Sequence, residues 1–273
     1  MTPLLALSLN PMQHVEDSNL FAGFGGKLQA FGDLVGHYGF TKQVFMFLLA
    51  GILTTGIFLW RSWKIRNERV PRGLGNLLEV VLLFIRDQMV RPFLGHEGDR
   101  YLTVIWTFFF FILFANLLGL VPIFDYLGHG GNTATGSIYL TAALAICSFL
   151  FYHGMGIRKQ GLFWYLKKLF PHVPWPVYFI IVPVELIAHV VRPCALAIRL
   201  FANMLAGHIM IATILGFTVV WVEWLHFGAG ISLICFASAV ALMFLELLVA
   251  MIQAFVFAFL TTVFLAGAVH PEH

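Results

Sequence analysis

Charged residues are scarce in this chain. Only 11% of its 273 residues are Asp, Glu, Lys or Arg, whereas 60% are hydrophobic and the mean hydropathy is +0.89. A soluble protein of this length could not bury so much apolar surface, so the composition indicates an integral membrane protein. The net charge of +3 does not predict a nucleic-acid partner, because the basic residues cluster beside the apolar segments.

Cysteine is also rare. Cys147, Cys194 and Cys235 show neither a CxxC motif nor the spacing of metal ligands, and we interpret them as small hydrophobic residues. No motif in the chain predicts a metal ion or a cofactor. The N-terminus lacks the basic start of a secretory signal, so the first true span is expected to direct insertion.

Apolar runs of about 20 residues predict the membrane spans. We expect an all-α integral membrane protein with about five membrane-embedded helices and one amphipathic surface helix. The expected order, within a single membrane domain over 1–273, is an external segment at 1–39, a span at 40–60, the surface helix at 74–93, spans at 101–123 and 137–154, and two long, strongly tilted helices at 176–222 and 229–269.

Basic residues predict the orientation of these spans. Arg61, Lys64 and Arg66 follow the first span, and Arg158 and Lys159 follow the third, whereas the turn between the second and third spans has no Lys or Arg. Because basic loops stay on the cytoplasmic side, we expect the N-terminus outside and the C-terminus in the cytoplasm.

Two segments leave alternatives open. Residues 74–93 divide into a polar and an apolar half, which favours a surface helix over a short additional span. The last two apolar runs are each about twice the length of a perpendicular span, so each is either a hidden hairpin or one tilted helix. The absence of a Gly/Pro cluster inside either run favours two tilted helices.

Arg199 is the most informative single residue. It lies deep in the first of these long runs, with no Asp or Glu within a dozen residues on either side. A guanidinium stays protonated even in a low dielectric, and placing one at the bilayer centre costs at least about 3 kcal/mol. An intramembrane arginine without a local partner therefore indicates an ion path.

Other polar residues of the two long helices show a common register. Counted from the turn between them, His208 and Glu246 lie at one depth, and Arg199 and Gln253 lie at another. At 3.6 residues per turn, Asn203 shares the side of Arg199, whereas His208 lies about 180° away. We therefore expect Arg199 to face something outside this chain, and His208 with Glu246 to line a separate aqueous pocket.

This arrangement suits proton passage. Histidine titrates near neutral pH, and a neighbouring carboxylate can exchange protons with it. Glu185 and His189, on the predicted cytoplasmic side of Arg199, are candidates for a second pocket. A partner would have to supply a carboxylate that carries protons between the pockets, because none lies beside Arg199. His208 also has a purely structural interpretation, as a hydrogen-bonded residue of a membrane helix.

The motif Arg199-Leu-Phe-Ala-Asn-Met-Leu-Ala-Gly-His208, with Glu185 before it and Glu246 and Gln253 after it, resembles subunit a of F-type ATP synthases. The segments 95–101 and 116–122 also match family positions. The resemblance implies that Arg199 faces a ring of c subunits, that Asn203 and Gln253 are its polar neighbours, and that Glu185 is the acid on the cytoplasmic side. Many members have Glu at the position of His208 and His at that of Glu246, so this pair is exchanged here.

The resemblance therefore implies a proton-translocating, non-catalytic stator subunit in a bacterial inner membrane. Its implied partners are the c-subunit ring, b-type peripheral-stalk subunits, the rest of the ATP synthase and the lipid bilayer, without a cofactor. It assigns no role to Arg192 or Asp125. Two alternatives are an autonomous secondary transporter, which would often show internal repeats, and a haem-binding subunit using pairs among His153, His189 and His208.

Overall fold

The computed structural model describes residues 42–65, 73–120, 134–163, 165, 175–224 and 228–269. Within these ranges every regular element is a helix. The α-helices are α1 (Lys42–Ile65), α2 (Leu74–Phe84), α3 (Arg91–Leu94), α4 (Leu102–Leu120), α5 (Ile138–Gln160), α6 (Trp175–Trp224) and α7 (Gly228–Val269). A π-helical turn (Ile85–Val90) joins α2 to α3, and short 3₁₀ turns occupy Gly95–Arg100 and Ala134–Gly136.

Five of the described helices are long and apolar enough to cross a membrane. The candidate spans are Gln43–Lys64, Leu102–Leu120, Ile138–Gln160, Ile187–Ile211 and Leu233–Val269. A helix satisfies its own backbone hydrogen bonds, which is the condition for crossing hydrocarbon without water. The prediction of an all-α membrane protein with five embedded helices is confirmed.

The two final helices are continuous. α6 has 50 residues and α7 has 42. At 1.5 Å per residue these lengths are about 75 and about 63 Å, against about 30 Å of hydrocarbon. The alternative of a hidden hairpin in each run is therefore wrong, and the strong tilt stays a prediction that these lengths support.

Two helices continue past the predicted ends of their apolar runs. α1 reaches Ile65 rather than residue 60, because its last turns are held by side-chain contacts: Arg61 pairs with Glu79 at 2.8 Å, and Lys64 lies over the ring of Trp60. α5 likewise extends to Gln160, whose side chain donates to the carbonyl of Ala268.

The predicted surface helix at 74–93 is not one regular helix. Its first part, α2, ends at Phe84, where the π-helical turn shifts the angular phase of the residues that follow. Ile85 and Met89 in this turn are fully buried, and the indole of Trp106 in α4 donates a hydrogen bond to the Leu82 carbonyl at 3.2 Å. Burial of these side chains depends on packing between helices, so a helix-wheel pattern alone did not reveal the break.

Contacts divide the described chain into two compact units. Unit 1 comprises 42–54, 111–120, 134–140, 200–224 and 228–253. Its core includes Met46, Ala50 and Ala115, which are packed by surrounding phenylalanines such as Phe47 and Phe111, whose rings meet edge to face at 4.8 Å.

Unit 2 comprises 55–65, 73–110, 141–163, 165, 175–199 and 254–269. Phe108 contacts both Phe151 and Phe257, at 6.5 and 5.5 Å between ring centroids. Ser148 and Thr261 form a buried hydrogen bond of 2.8 Å between α5 and α7. Polar contacts of this kind join helices in apolar surroundings, where the hydrophobic effect between helices is weak.

Candidate functional site

Arg199 lies on a face of α6 that the described part of the chain leaves uncovered. Its side chain is exposed, as are those of Ala195 and Ala202, which lie within about 60° of it around the helix. No carboxylate among the described side chains pairs with the Arg199 guanidinium. An exposed, permanent charge within an apolar helix face needs a counter-charge or water from outside the described chain.

Glu246 is buried in unit 1, with 5% of its surface exposed. Neither of its carboxylate oxygens has a hydrogen-bond partner among the described groups. Beside it lies a cavity of about 90 Å³, lined by residues that include Asn203, Gly207, Met210 and Leu242, and we call this cavity the Glu246 pocket. A cavity of this size beside a carboxylate has room for more than one water molecule, which could solvate the acid.

Gly207 sets the position of Glu246. A Cβ atom at residue 207 would lie 2.5 Å from Oε1 of Glu246 and 2.9 Å from its Cδ. Because real Cβ atoms do not approach so closely, a side chain at this position would force the carboxyl group to move. Glycine therefore lets α6 approach the carboxylate, and residue 207 precedes His208, which the register predicted at the depth of Glu246.

Asn116 fixes α7 near the same carboxylate. Its side chain is fully buried, accepts a 2.7 Å hydrogen bond from the Thr135 hydroxyl and donates to the Ala250 carbonyl at 3.4 Å. Ala250 lies one turn from Glu246, so this link holds the backbone that carries the carboxylate. Gln253, the next predicted site residue, is buried and its amide nitrogen has no partner among the described groups.

A second polar group lies in unit 2. The ring of His189 lies 5.5 Å from that of His153, and Nδ1 of His153 shares a 2.5 Å hydrogen bond with the Tyr165 hydroxyl. We call these three residues the histidine cluster. Nε2 of His153 is buried and has no hydrogen-bond partner in the described chain. Nearby on α6, the Arg192 guanidinium lies 5.4 Å from the centre of the Phe264 ring.

The contact between His153 and His189 does not suit the use of this pair as the two axial ligands of a haem. Two axial histidines must be separated by a whole macrocycle, whereas the rings of His153 and His189 are in contact. Among the described side chains, no three His, Cys, Asp or Glu come together as metal ligands.

Only the backbone is described for two predicted site residues. Glu185 and His208 belong to the described backbone of α6, but their side chains lie outside the described part of the structure. Asp125 lies outside the described residues altogether. Of the predicted site residues that are described, Asn203 and Glu246 line one pocket, and His189 contacts a residue that the sequence reasoning did not assign to the proton path.

The same chain matches a known family over most of its length. The family model described as "ATP synthase A chain" covers residues 44–266. The chain belongs to this family. The resemblance stated from the sequence is thereby confirmed.

Individual relatives in the family are similar over comparable lengths. ATP synthase subunit a of Hyphomonas neptunium is 42% identical over 240 residues, covering 85% of this chain and 88% of the relative. The subunit a of Myxococcus xanthus is 41% identical over 233 residues, covering 84% and 72%. That of Maricaulis maris is 37% identical over 266 residues, covering 97% and 98%.

Sequence reasoning missed four residues that shape these sites. Gly207 and Asn116 lie in segments that resemble the family, but the resemblance assigned no role to either residue. His153 was considered only as a haem ligand, and Tyr165 was not considered. Their roles depend on which helices pack together, and no local pattern in the sequence carries that information.

Proposed function

We propose that this chain is the stator subunit that carries protons to and from a ring of c subunits in a bacterial rotary ATP synthase. The subunit provides two offset half-channels, and Arg199 separates them. It forms and breaks no covalent bond itself, since ATP is made elsewhere in the complex. Membership of the ATP synthase A-chain family supports this proposal, and the packing of the polar residues supports its individual steps.

The exposure of Arg199 is the observation that carries the proposal. A carboxylate of the c ring that comes next to this guanidinium would be favoured in its ionised form, and so would release its proton. When the ring carries that carboxylate away, the charge of Arg199 stays behind. The fixed positive charge also opposes the passage of protons directly from one half-channel to the other.

The Glu246 pocket suits the inlet half-channel. A carboxylate whose oxygens are buried without partners is costly unless water or another polar group reaches it. We assign His208 and Asn203 to the same inlet, and Gln253 to the surroundings of Arg199. Each proton that falls through 100 mV contributes about 2.3 kcal/mol to rotation.

The outlet half-channel is assigned to Glu185 and His189 on the cytoplasmic side. The contact between His189 and His153 supports a polar environment at this point of α6. With an external N-terminus and a cytoplasmic C-terminus, the basic ends of α1 and α5 lie in the cytoplasm. There b-type subunits of the peripheral stalk would hold the chain against the rotating ring.

Replacement of Arg199 tests this function. Arg199→Ala should abolish ATP synthesis driven by a proton gradient in membrane vesicles, because ring carboxylates would no longer be ionised at the boundary between the half-channels. Passive proton permeability should not fall, which distinguishes the effect from loss of the protein. Cys194→Ala, at an exposed position about 140° away around the same helix, should retain synthesis. Near-normal synthesis by Arg199→Ala at equal protein levels would overturn the assignment.

A further inference from the structure

A large cavity with a basic lining lies in unit 2, and its lining includes none of the residues assigned to the proton path. Its volume is about 550 Å³, and its lining includes His96, Glu97, Arg100, Met155, Arg158 and Lys159. The 3₁₀ turn Gly95–Arg100 forms one wall, and the last turns of α5 form the other. We call it the arginine cavity.

The described side chains around this cavity carry an excess of positive charge. The carboxylates of the described segment 73–120 all have basic partners. Glu79 pairs with Arg61, Asp87 with Arg86 and Arg91, Asp99 with Arg91, and Glu97 with Lys159. Arg100 and Arg158 remain, and no described carboxylate pairs with either of them. The cavity therefore presents two arginines whose charges no described carboxylate neutralises.

The wall that carries Arg100 is held in place by close packing. A Cβ atom at Gly98 would lie 2.7 Å from Cγ1 of Val90 and 2.8 Å from Cβ of Leu94, so only glycine lets the turn pack this tightly. Next to the same turn, Arg91 and Asp99 form an ion pair at 3.2 Å. The hydrogen bond from Arg91 lowers the pKa of Asp99, which keeps this carboxylate ionised at neutral pH.

The cavity lies at the ends of two candidate spans. One span ends at Gln160, directly after Arg158 and Lys159, and another begins at Leu102, close behind Arg100. Beyond α5, Leu162 and Phe163 are exposed, with 57% and 77% of their surfaces accessible. Apolar side chains next to clustered basic residues at the end of a span are typical of the lipid headgroup region.

We propose that the arginine cavity binds the phosphate of an anionic phospholipid. Guanidinium groups bind phosphate with paired, charge-assisted hydrogen bonds, and among the described residues no carboxylate would have to be displaced from Arg100 or Arg158. Leu162 and Phe163, which are exposed and follow Lys159 by three and four residues, would provide apolar surface for the acyl chains. A free phosphate ion would use the same arginines but would gain nothing from that surface.

Lipid titration of the purified full-length chain tests the proposal by native mass spectrometry. The probes are phosphatidylglycerol, phosphatidylcholine and inorganic phosphate. The variant Arg100→Gln with Arg158→Gln should bind phosphatidylglycerol at least tenfold more weakly. The matched control Lys64→Gln with Arg86→Gln loses the same charge outside the cavity and leaves Asp87 paired with Arg91, so it should bind as the parent does.

Phosphatidylcholine and inorganic phosphate should bind the parent chain much more weakly than phosphatidylglycerol. Equal phosphatidylglycerol binding by both double variants, with unchanged helix content, would overturn the proposal. So would inorganic phosphate binding as tightly as the lipid, since the site would then be one for the free ion.

A second experiment identifies the occupant in the assembled complex. A photoreactive benzoylphenylalanine replaces Met155 in the cavity wall, and the membranes are irradiated before purification. We expect a covalent adduct with the mass of a phospholipid, which the Arg100→Gln, Arg158→Gln background should abolish. An adduct with a protein partner, or the absence of any lipid adduct, would contradict the proposal.

Discussion

Buried polar groups find different partners in the two units. The Glu246 pocket lies in unit 1, and the histidine cluster lies in unit 2. In the pocket, both oxygens of a buried carboxylate lack partners among the described groups and lie beside a cavity among apolar residues. In the cluster, the rings of His153 and His189 touch, and Tyr165 satisfies one nitrogen of His153.

This difference in hydrogen-bond partners indicates how the Glu246 pocket and the histidine cluster could each pass a proton. The pocket has space and an unsatisfied acid, so it needs water, and a chain of waters conducts protons. The cluster is filled by side chains that are in direct contact, so its integrity depends on hydrogen bonds between residues. We therefore expect the pocket to respond most strongly to the loss of its carboxylate and the cluster to respond mainly in stability.

The largest effect should come from Glu246→Gln. The amide keeps the shape of the side chain but cannot ionise, and removing a positioned proton-transfer group lowers rates by on the order of 10²-fold or more. ATP synthesis by vesicles after an imposed proton gradient measures this loss. Ser238→Ala, which removes a hydroxyl that bonds within its own helix, is the matched control on α7 and should remain active. Near-normal synthesis by Glu246→Gln would remove the pocket from the path.

A smaller effect is expected from Gly207→Ala. The added methyl group overlaps the carboxyl group of Glu246 and displaces it, and a shift of about 1 Å in a reacting group can cost up to 10²-fold. Because a glutamate side chain can partly adapt, we expect about a tenfold loss of proton-driven synthesis. Gly154→Ala, whose methyl group meets no atom within 4 Å, is the control. Equal activity of the two variants would show that the approach of α6 to Glu246 is not required.

Tyr165→Phe should have the smallest effect on synthesis. It leaves Nδ1 of His153 without its partner, which costs about 1–3 kcal/mol for a buried group. The apparent unfolding temperature of the purified chain should therefore fall, while proton-driven synthesis should change by less than in the pocket variants. Tyr139→Phe, at a side chain that is 84% exposed, should change neither. If Tyr165→Phe lowered synthesis as much as Glu246→Gln does, the histidine cluster would be as important for proton transfer as the Glu246 pocket.

Much of the fold follows from the sequence because membrane spans leave a strong local signal. An uninterrupted run of about 20 apolar residues is rare outside membrane spans, and the absence of a Gly/Pro cluster inside the last two runs favoured continuous helices. The π-helical turn at 85–90 was not predictable in the same way. It follows Leu82, whose carbonyl accepts a hydrogen bond from Trp106 of α4, and it contains the buried Ile85; such packing leaves no local pattern.

Some features of the candidate site were likewise predictable from the sequence, and others were not. Counting from the turn predicted Glu246 at the depth of residue 208, and in the structure Glu246 lies against Gly207 of α6. The rarity of charge in these helices was enough to single out Arg199. In contrast, the positioning by Asn116 and the contact of His189 with His153 arise from packing between helices distant in sequence.

What lies opposite Arg199 is the question on which the proposed function depends, and disulfide cross-linking in the assembled complex addresses it most directly. In a background with Cys147, Cys194 and Cys235 replaced by alanine, Ala202→Cys places a thiol on the exposed face of Arg199, and Met204→Cys places one on a buried face of the same helix. The partner thiol is introduced next to the ion-binding carboxylate of the c subunit. We expect Ala202→Cys to cross-link to the c subunit and Met204→Cys to remain unlinked. Efficient cross-linking of Met204→Cys, with none from Ala202→Cys, would contradict the claim that Arg199 meets the c-ring carboxylate.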